Sequence, residues 1–291
     1  MGIKKVLQKA ADVTGTINDL FEEYINECKA RNMAKPTLSS YTISKNRFLD
    51  FLGEDVPVRE ITDKTIFAYI NYMLEDMVKP TTINHYLRDI RAFFNWCSNY
   101  EYIPYRLRIG LVKAQQEVIE TYTEEEQIIL TTKPLKTNSF VDWRGWAIVN
   151  FILATGARSS TIRNVKLGDL SFGRGEINFS HTKNKKAQIV PMSRELTTVL
   201  RTYIKMWRGQ ATDDAYLFCD IGENELSANA LKLSIRRYNQ SRGVTLTSVH
   251  AFRHTFAKQW IKNTGDVFRL QKLLGHSTLE MTRRYVNLFT F

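Results

Sequence analysis

Four helix starts in the first hundred residues, at Thr16, Lys35-Pro36, Thr62-Asp63 and Lys79-Pro80, with no strand pattern between them, commit that part of the chain to packed helices. Thr16 is an N-cap residue, and the acidic residues that follow lie where the helix dipole favours them. The second segment carries Leu38, Tyr41, Ile43, Phe48, Phe51 and Leu52 as a broad apolar stripe and stops at Gly53. The third carries Ile66, Tyr69, Ile70, Tyr72 and Met73, and the fourth Ile83, Tyr86, Leu87, Ile90, Phe93, Phe94 and Trp96. Short loops between four such segments predict an all-α bundle of roughly 90 residues.

Beyond Pro104 the pattern changes. Residues 106–120 lack a clean period and read as a linker, so the expected organisation is a lead-in over 1–15, a helical domain over 16–105, the linker, and a second domain over 121–291. That second domain opens on a capped helix at Tyr122-Thr123-Glu124, followed by an apolar helix over 142–154 that ends at Thr155-Gly156-Ala157-Arg158. Glu176–Phe179 and Ala187–Val190 alternate as strands around a lysine-rich turn at 182–186. Residues 193–207 and 227–240 read as further amphipathic helices. The fold class is mainly α with two domains, the second an α+β unit with a small antiparallel sheet.

Charge is distributed unevenly. The chain has 291 residues and a net charge of +11. Residues 1–112 hold 15 Lys and Arg against 14 Asp and Glu, leaving 26 against 16 for the remainder. A basic excess confined to one region points to a polyanionic partner, since neutralised phosphates dominate such affinities. Lys35, Lys45, Arg47, Lys79, Arg88 and Arg91 are the expected phosphate contacts of the helical domain, joined by Lys185 and Lys186 in the turn, although any one of them could equally be a solvated surface charge. Cys28, Cys97 and Cys219 are odd in number and widely spaced, which fits reduced thiols and no cysteine-based zinc site. No apolar run reaches the roughly 20 residues that span a bilayer. The N-terminus has no secretory h-region, so the expected location is the cytoplasm, with no membrane partner.

The chemistry concentrates in the stretch from His250 to Tyr285, HAFRHTFAKQWIKNTGDVFRLQKLLGHSTLEMTRRY. His250 and Arg253, three apart on a helix, share one face. An amphipathic helix follows and breaks at Gly275-His276. Two histidines, an arginine and a tyrosine near one point make a site for attacking a phosphodiester with a phenolic oxygen. A phenol is mostly protonated at neutral pH and needs a base or a strong positive field. Arg158, after a buried helix and a glycine turn, needs an anionic partner, either a structural carboxylate or a phosphate. His254, next to Arg253, is expected to point off that face and serve the structure. Taken singly, Tyr285 and His276 could be ordinary packing and helix-end residues.

These residues together carry a resemblance. T-G-A-R at 155–158, the lysine hairpin with V-P at 190–191, H-A-F-R-H-T-F-A at 250–257, L-L-G-H at 273–276 and Tyr285 resemble, in order and spacing, the tyrosine recombinases of the phage-integrase and Xer type. The resemblance implies a SAM-like core-binding domain followed by a catalytic domain. It implies that Arg158 and Arg253 clamp the scissile phosphate and that Lys183, with Lys185 and Lys186 as close alternatives, protonates the leaving 5′ oxygen. His250 matches a proton acceptor or phosphate donor, His276 a phosphate donor, and Tyr285 the nucleophile of a 3′-phosphotyrosine link. No cofactor and no metal are implied, because cations of the protein take the metal's place.

Three positions depart from the family pattern. Thr161 stands where an acidic residue is usual, Thr182-Lys183-Asn184 replaces G-K-G, and six residues follow Tyr285 where many members carry a longer segment that docks on a neighbouring subunit. No separate arm-site domain is expected. The implied function is site-specific recombination of double-stranded DNA through Holliday-junction strand exchange, as a homotetramer on synapsed sites and a monomer or weak dimer without them. Integration or excision of a mobile element comes first, a Xer-like chromosome or plasmid resolvase second. A type IB topoisomerase-like enzyme and a non-catalytic DNA-binding relative are the alternatives.

Overall fold

The computed structural model describes residues 15–115, 118–179 and 187–289. The chain divides into two compact units, Met1–Glu117 and Val118–Phe291.

The first unit is a bundle of α1 (Ile17–Ala30), α2 (Lys35–Leu52), α3 (Asp63–Glu75) and α4 (Pro80–Asn99). Thr16 and Thr62 cap α1 and α3 by accepting from the backbone N–H groups of Asp19 and Thr65. Pro36 and Pro80 sit in the first turns of α2 and α4, where no N–H is missed. The longest helix, α4, packs against the other three. Around it Phe48 meets Tyr69 and Phe94 edge-on, with ring centroids 4.9 and 5.9 Å apart. One expectation for α2 fails: Ile43 is 55% exposed and Ser44 only 1%. The 3.6-residue period that buries Phe48 carries the inward face through position 44, not 43. Ser44 is tolerated there because its hydroxyl donates to Asp89 Oδ2 at 2.7 Å.

The stretch read as the start of a linker packs onto this bundle. Ile109 is buried, and the side chain of Asn84 both donates to the carbonyl of Val112 (3.0 Å) and accepts from its N–H (2.8 Å).

The second unit contains α5 (Glu124–Thr131), α6 (Phe140–Thr155), α7 (Ser159–Asn164), β1 (Leu170–Ser171), β2 (Glu176–Phe179), β3 (Gln188–Pro191), α8 (Arg194–Trp207), α9 (Ala228–Gln240), α10 (Val249–Thr264), α11 (Val267–Leu274) and α12 (Leu279–Phe289). Helix α6 is apolar around its whole circumference, and such a helix belongs inside. From Trp143 to Ile152 every residue except Asn150 is buried, under α5, α8, α9 and α10. The antiparallel sheet has the order β1-β2-β3, with Ile177 opposite Val190 and both turned inward. A smaller apolar cluster of Phe256, Ile261, Leu270, Leu274 and Tyr285 ties α10, α11 and α12 together. It is this cluster that fixes the tyrosine.

Candidate catalytic site

Two helix C-termini meet at the site. Helix α6 ends at Gly156 (φ 64°) and α11 at Gly275 (φ 58°), both left-handed. Only glycine fits at the first, because a Cβ there would lie 2.5 Å from the Phe256 ring and 2.9 Å from Leu274. Helix ends leave carbonyl groups without intrahelical partners, at the negative end of the dipole. Two arginines take them. Arg253, on α10, donates from Nη1 to the Gly156 carbonyl at 2.5 Å and from Nη2 to the Leu274 carbonyl at 2.8 Å. Arg158, the N-cap residue of α7, donates from Nη2 to the Gly275 carbonyl at 3.0 Å.

Neither guanidinium forms an ion pair with a carboxylate among the described residues. Arg253 is only 6% exposed. Burial, and then the like charge of Arg158, lower its pKa to about 10. Burial lowers that of Arg158 as well. The structural carboxylate left open for Arg158 is not what holds it, and Thr161 is buried in α7. Two positive charges are thus fixed in place by dipoles and left unneutralised, an arrangement suited to an incoming phosphate.

Tyr285, 5% exposed, lies between two imidazoles. Nδ1 of His254 is 2.9 Å from the phenolic oxygen. The His276 ring stacks nearly parallel to the tyrosine ring, with 5° between the ring planes and centroids 6.2 Å apart. His254 therefore belongs to the site, contrary to the expectation that it points away. Neighbours on a helix lie about 100° apart and not opposite, so positions 250, 253 and 254 all fall within one broad face. Burial raises the phenol's pKa, while the charge of and hydrogen bond from Arg253, then the charges of Arg284 and Arg158, oppose that rise.

The tautomer of His276 follows from its partners. Arg253 Nη2 lies 3.1 Å from Nε2, and a guanidinium only donates, so Nε2 presents its lone pair. Nδ1 then carries the proton and donates to Thr282 Oγ1 at 2.9 Å. Burial, followed by the charges of Arg253 and Arg158, lowers the His276 pKa to about 4. His254 also falls to about 4, through burial and then the charges of His250, Arg253 and Arg284. Both rings are neutral at pH 7.

His250 is exposed in the first turn of α10 and stacks on His254, with centroids 6.3 Å apart. It lines an open pocket of 720 Å³ with Ser159, Lys232 and Ser248. Lys183, Lys185 and Lys186 lie outside the described residues. Gln188, just beyond them on β3, donates from Nε2 to the carbonyls of Lys272 (2.7 Å) and Leu273 (2.8 Å), fastening the base of the hairpin to the end of α11. Thr282 and Gln188 have no place among the residues expected from sequence, and His254 is expected there only as a structural residue. Thr282 had a signal, a polar residue three before Tyr285 and so on the same face of α12.

Of the basic residues expected to touch phosphate in the first unit, Lys35, Lys79 and Arg88 are exposed. Lys45 donates to Asn18 at 2.6 Å and Arg47 pairs with Asp76. Arg91 donates to the carbonyl of Ile109. These last three have structural duties inside the bundle.

A phenol set among two unneutralised guanidiniums and neutral imidazoles, on a helical unit with a small sheet, defines an enzyme-like site for phosphodiester chemistry. Residues 121–290 match the phage integrase family, and residues 20–103 match the N-terminal SAM-like domain of phage integrases. The chain belongs to the phage integrase family. It is 27% identical over 283 residues to tyrosine recombinase XerA of Saccharolobus solfataricus, covering 93% of this chain and 88% of the relative. It is 23% identical over 283 residues to tyrosine recombinase XerC of a Roseiflexus species, covering 94% and 90%. In fold it is similar to the Tn1549 transposon integrase in complex with transposon right-end DNA, with TM-score 0.78 and 19% identity over 93% of this chain and 94% of the other. It is also similar to a lambda integrase tetramer bound to a Holliday junction, with TM-score 0.74 and 16% identity over 98% and 80%. No helix among the described residues is long and apolar enough to cross a membrane.

Proposed function

We propose that this chain is a site-specific DNA recombinase that cleaves and rejoins strands through a 3′-phosphotyrosine intermediate and Holliday-junction exchange. Tyr285 attacks the scissile phosphate, whose non-bridging oxygens are held by Arg158 and Arg253. His276 turns from Arg253 to the phosphate once DNA arrives, His250 meets it from the open side, and Lys183 in the hairpin protonates the leaving 5′ oxygen, with Lys185 and Lys186 nearby. The observation that carries this reading is the pair of guanidiniums held at helix-end carbonyls near Tyr285, with no carboxylate paired to them among the described residues.

Integration or excision of a mobile element is the first biological role, supported by likeness to a transposon integrase. Xer-type resolution is the second, favoured by matches to XerA and XerC along nearly the whole chain. The cytoplasm is the proposed location, and a homotetramer on synapsed DNA the proposed active form, in keeping with the lambda integrase tetramer.

The test starts from duplexes selected by the protein from a random pool. A version nicked next to the cleavage position should trap a covalent protein–DNA complex in EDTA. Binding without any covalent product would favour the non-catalytic alternative, and relaxation of plasmids lacking the selected site would favour the topoisomerase-like one.

A further inference from the structure

We propose that His254, and not His250 or His276, accepts the proton of the Tyr285 phenol when the tyrosine attacks, a role that rests on Tyr285 being the nucleophile. The geometry sorts the three imidazoles. Both nitrogens of His276 are engaged, Nε2 as acceptor from Arg253 and Nδ1 as donor to the buried Thr282. Its ring lies parallel to the tyrosine ring and presents a face, not a nitrogen, to it. His250 stands one imidazole further out, stacked on His254 at the rim of the open pocket. His254 has Nδ1 at 2.9 Å from the phenolic oxygen, the distance of a direct proton transfer.

With the His254 proton on Nε2, the tautomer this role requires, the phenol donates its single hydrogen to the Nδ1 lone pair across that 2.9 Å contact. The groups facing His254 are His250 and Arg253 on its own helix and Arg284 and Tyr285 on α12. The positive ones, together with burial, keep the ring neutral at pH 7, so its lone pair is available. A scissile phosphate at Arg158 and Arg253 adds negative charge beside the ring and raises its basicity as the attack begins.

The step balances. The O–H bond of Tyr285 breaks and its proton goes to Nδ1 of His254 as the phenolic oxygen bonds to phosphorus. The bond from phosphorus to the 5′ oxygen breaks, and that oxygen takes a proton from Lys183. On rejoining, His254 returns the proton to the departing tyrosine. Nothing is oxidised or reduced.

The test uses two substrates with the full chain. The first is the nicked duplex of selected sequence. The second carries a 3′-p-nitrophenyl phosphate in place of the tyrosine ester and a 5′-hydroxyl strand to attack it, so its leaving group needs no proton and Tyr285 takes no part. We expect His254→Phe to slow covalent trapping about 100-fold, the usual size of a general-base contribution. On the p-nitrophenyl ester the same variant should release p-nitrophenol within roughly three-fold of the unaltered protein. His254→Asn, which puts an acceptor oxygen near the position of Nδ1, should recover part of the trapping rate. Trapping by His254→Phe within roughly three-fold of normal would overturn the proposal, and so would equal losses on both substrates, which would mark a purely structural residue. Tyr285→Phe run alongside separates the underlying reading: an adduct formed by that variant would refute the nucleophile whatever His254 does.

Discussion

Thr282 is fully buried on α12, and its hydroxyl accepts a hydrogen bond from Nδ1 of His276 at 2.9 Å. This one contact ties the helix of the tyrosine to the imidazole stacked on it, and it takes the proton that Arg253, donating to Nε2, leaves on Nδ1. Thr282→Val keeps the shape and removes the acceptor. Leaving one half-buried donor unsatisfied costs about 1–3 kcal/mol. Single-turnover cleavage by Thr282→Val should fall by roughly ten-fold or more, while Thr282→Ser should stay near normal. Unaltered cleavage by Thr282→Val would mean that the Thr282 contact does not position His276 for the reaction.

Arg158 and Arg253 should differ in how they fail. In the proposed reaction each stabilises charge growing on the phosphate, and losing such a donor costs about 100-fold in rate or more. Arg253 also spans Gly156, Leu274 and His276, so Arg253→Ala should lower the melting temperature more than Arg158→Ala, which breaks one bond to Gly275. Arg253→Lys should rescue little, because an ammonium cannot fork between two carbonyls. Kinetics and thermal unfolding of the three variants check this directly.

Acid should destabilise the free protein before its carboxylates titrate. His254 and His276 have pKa values of about 4 in the folded state, against about 6.5 for an unfolded histidine. Between those values the unfolded chain binds more protons than the folded one. Stability is therefore full above pH ~6.5 and is lost as the pH falls toward 4. The urea midpoint should drop between pH 7 and pH 5, and His276→Asn should flatten that drop. A midpoint rising over this range would contradict the burial of neutral rings.

Salt should separate surface cations from structural ones. Each phosphate neutralised contributes a slope of about −0.9 to log K against log salt. Replacing the exposed Lys79 or Arg88 with Ala should reduce the slope by about one contact and leave the melting temperature alone. Arg91→Ala should instead lower the melting temperature, because Arg91 holds the carbonyl of Ile109. DNA binding isotherms from 50 to 200 mM salt decide it.

Much of the fold is written locally. Thr16, Thr62 and Thr123 are caps, and Gly53, Gly156 and Gly275 are left-handed stops, because those features depend on a few neighbouring residues. The sequence alone puts Ile43 on the inward face of α2, because an apolar residue beside a serine looks like the buried one; the pairing of Ser44 with Asp89 reverses that. Residues near Ile109 gave no period and so looked like a linker, yet irregular backbone packs well when an asparagine such as Asn84 satisfies it. At the site, the family motifs pointed to Arg158, Arg253, His276 and Tyr285. They could not indicate that two helix ends supply carbonyls to the arginines, since that depends on α6 and α11 converging in space. The contact of His254 with Tyr285 is hidden from the sequence for the same reason, since it comes from α12 packing against α10.

In the proposed reaction the Tyr285 oxygen becomes joined to a DNA 3′ phosphate. The measurement is mass spectrometry of the trapped complex after nuclease and protease digestion. It should find a nucleotide on the peptide containing Tyr285, and no adduct at all from Tyr285→Phe. A nucleotide on any other residue, or an undiminished adduct from that variant, would contradict it.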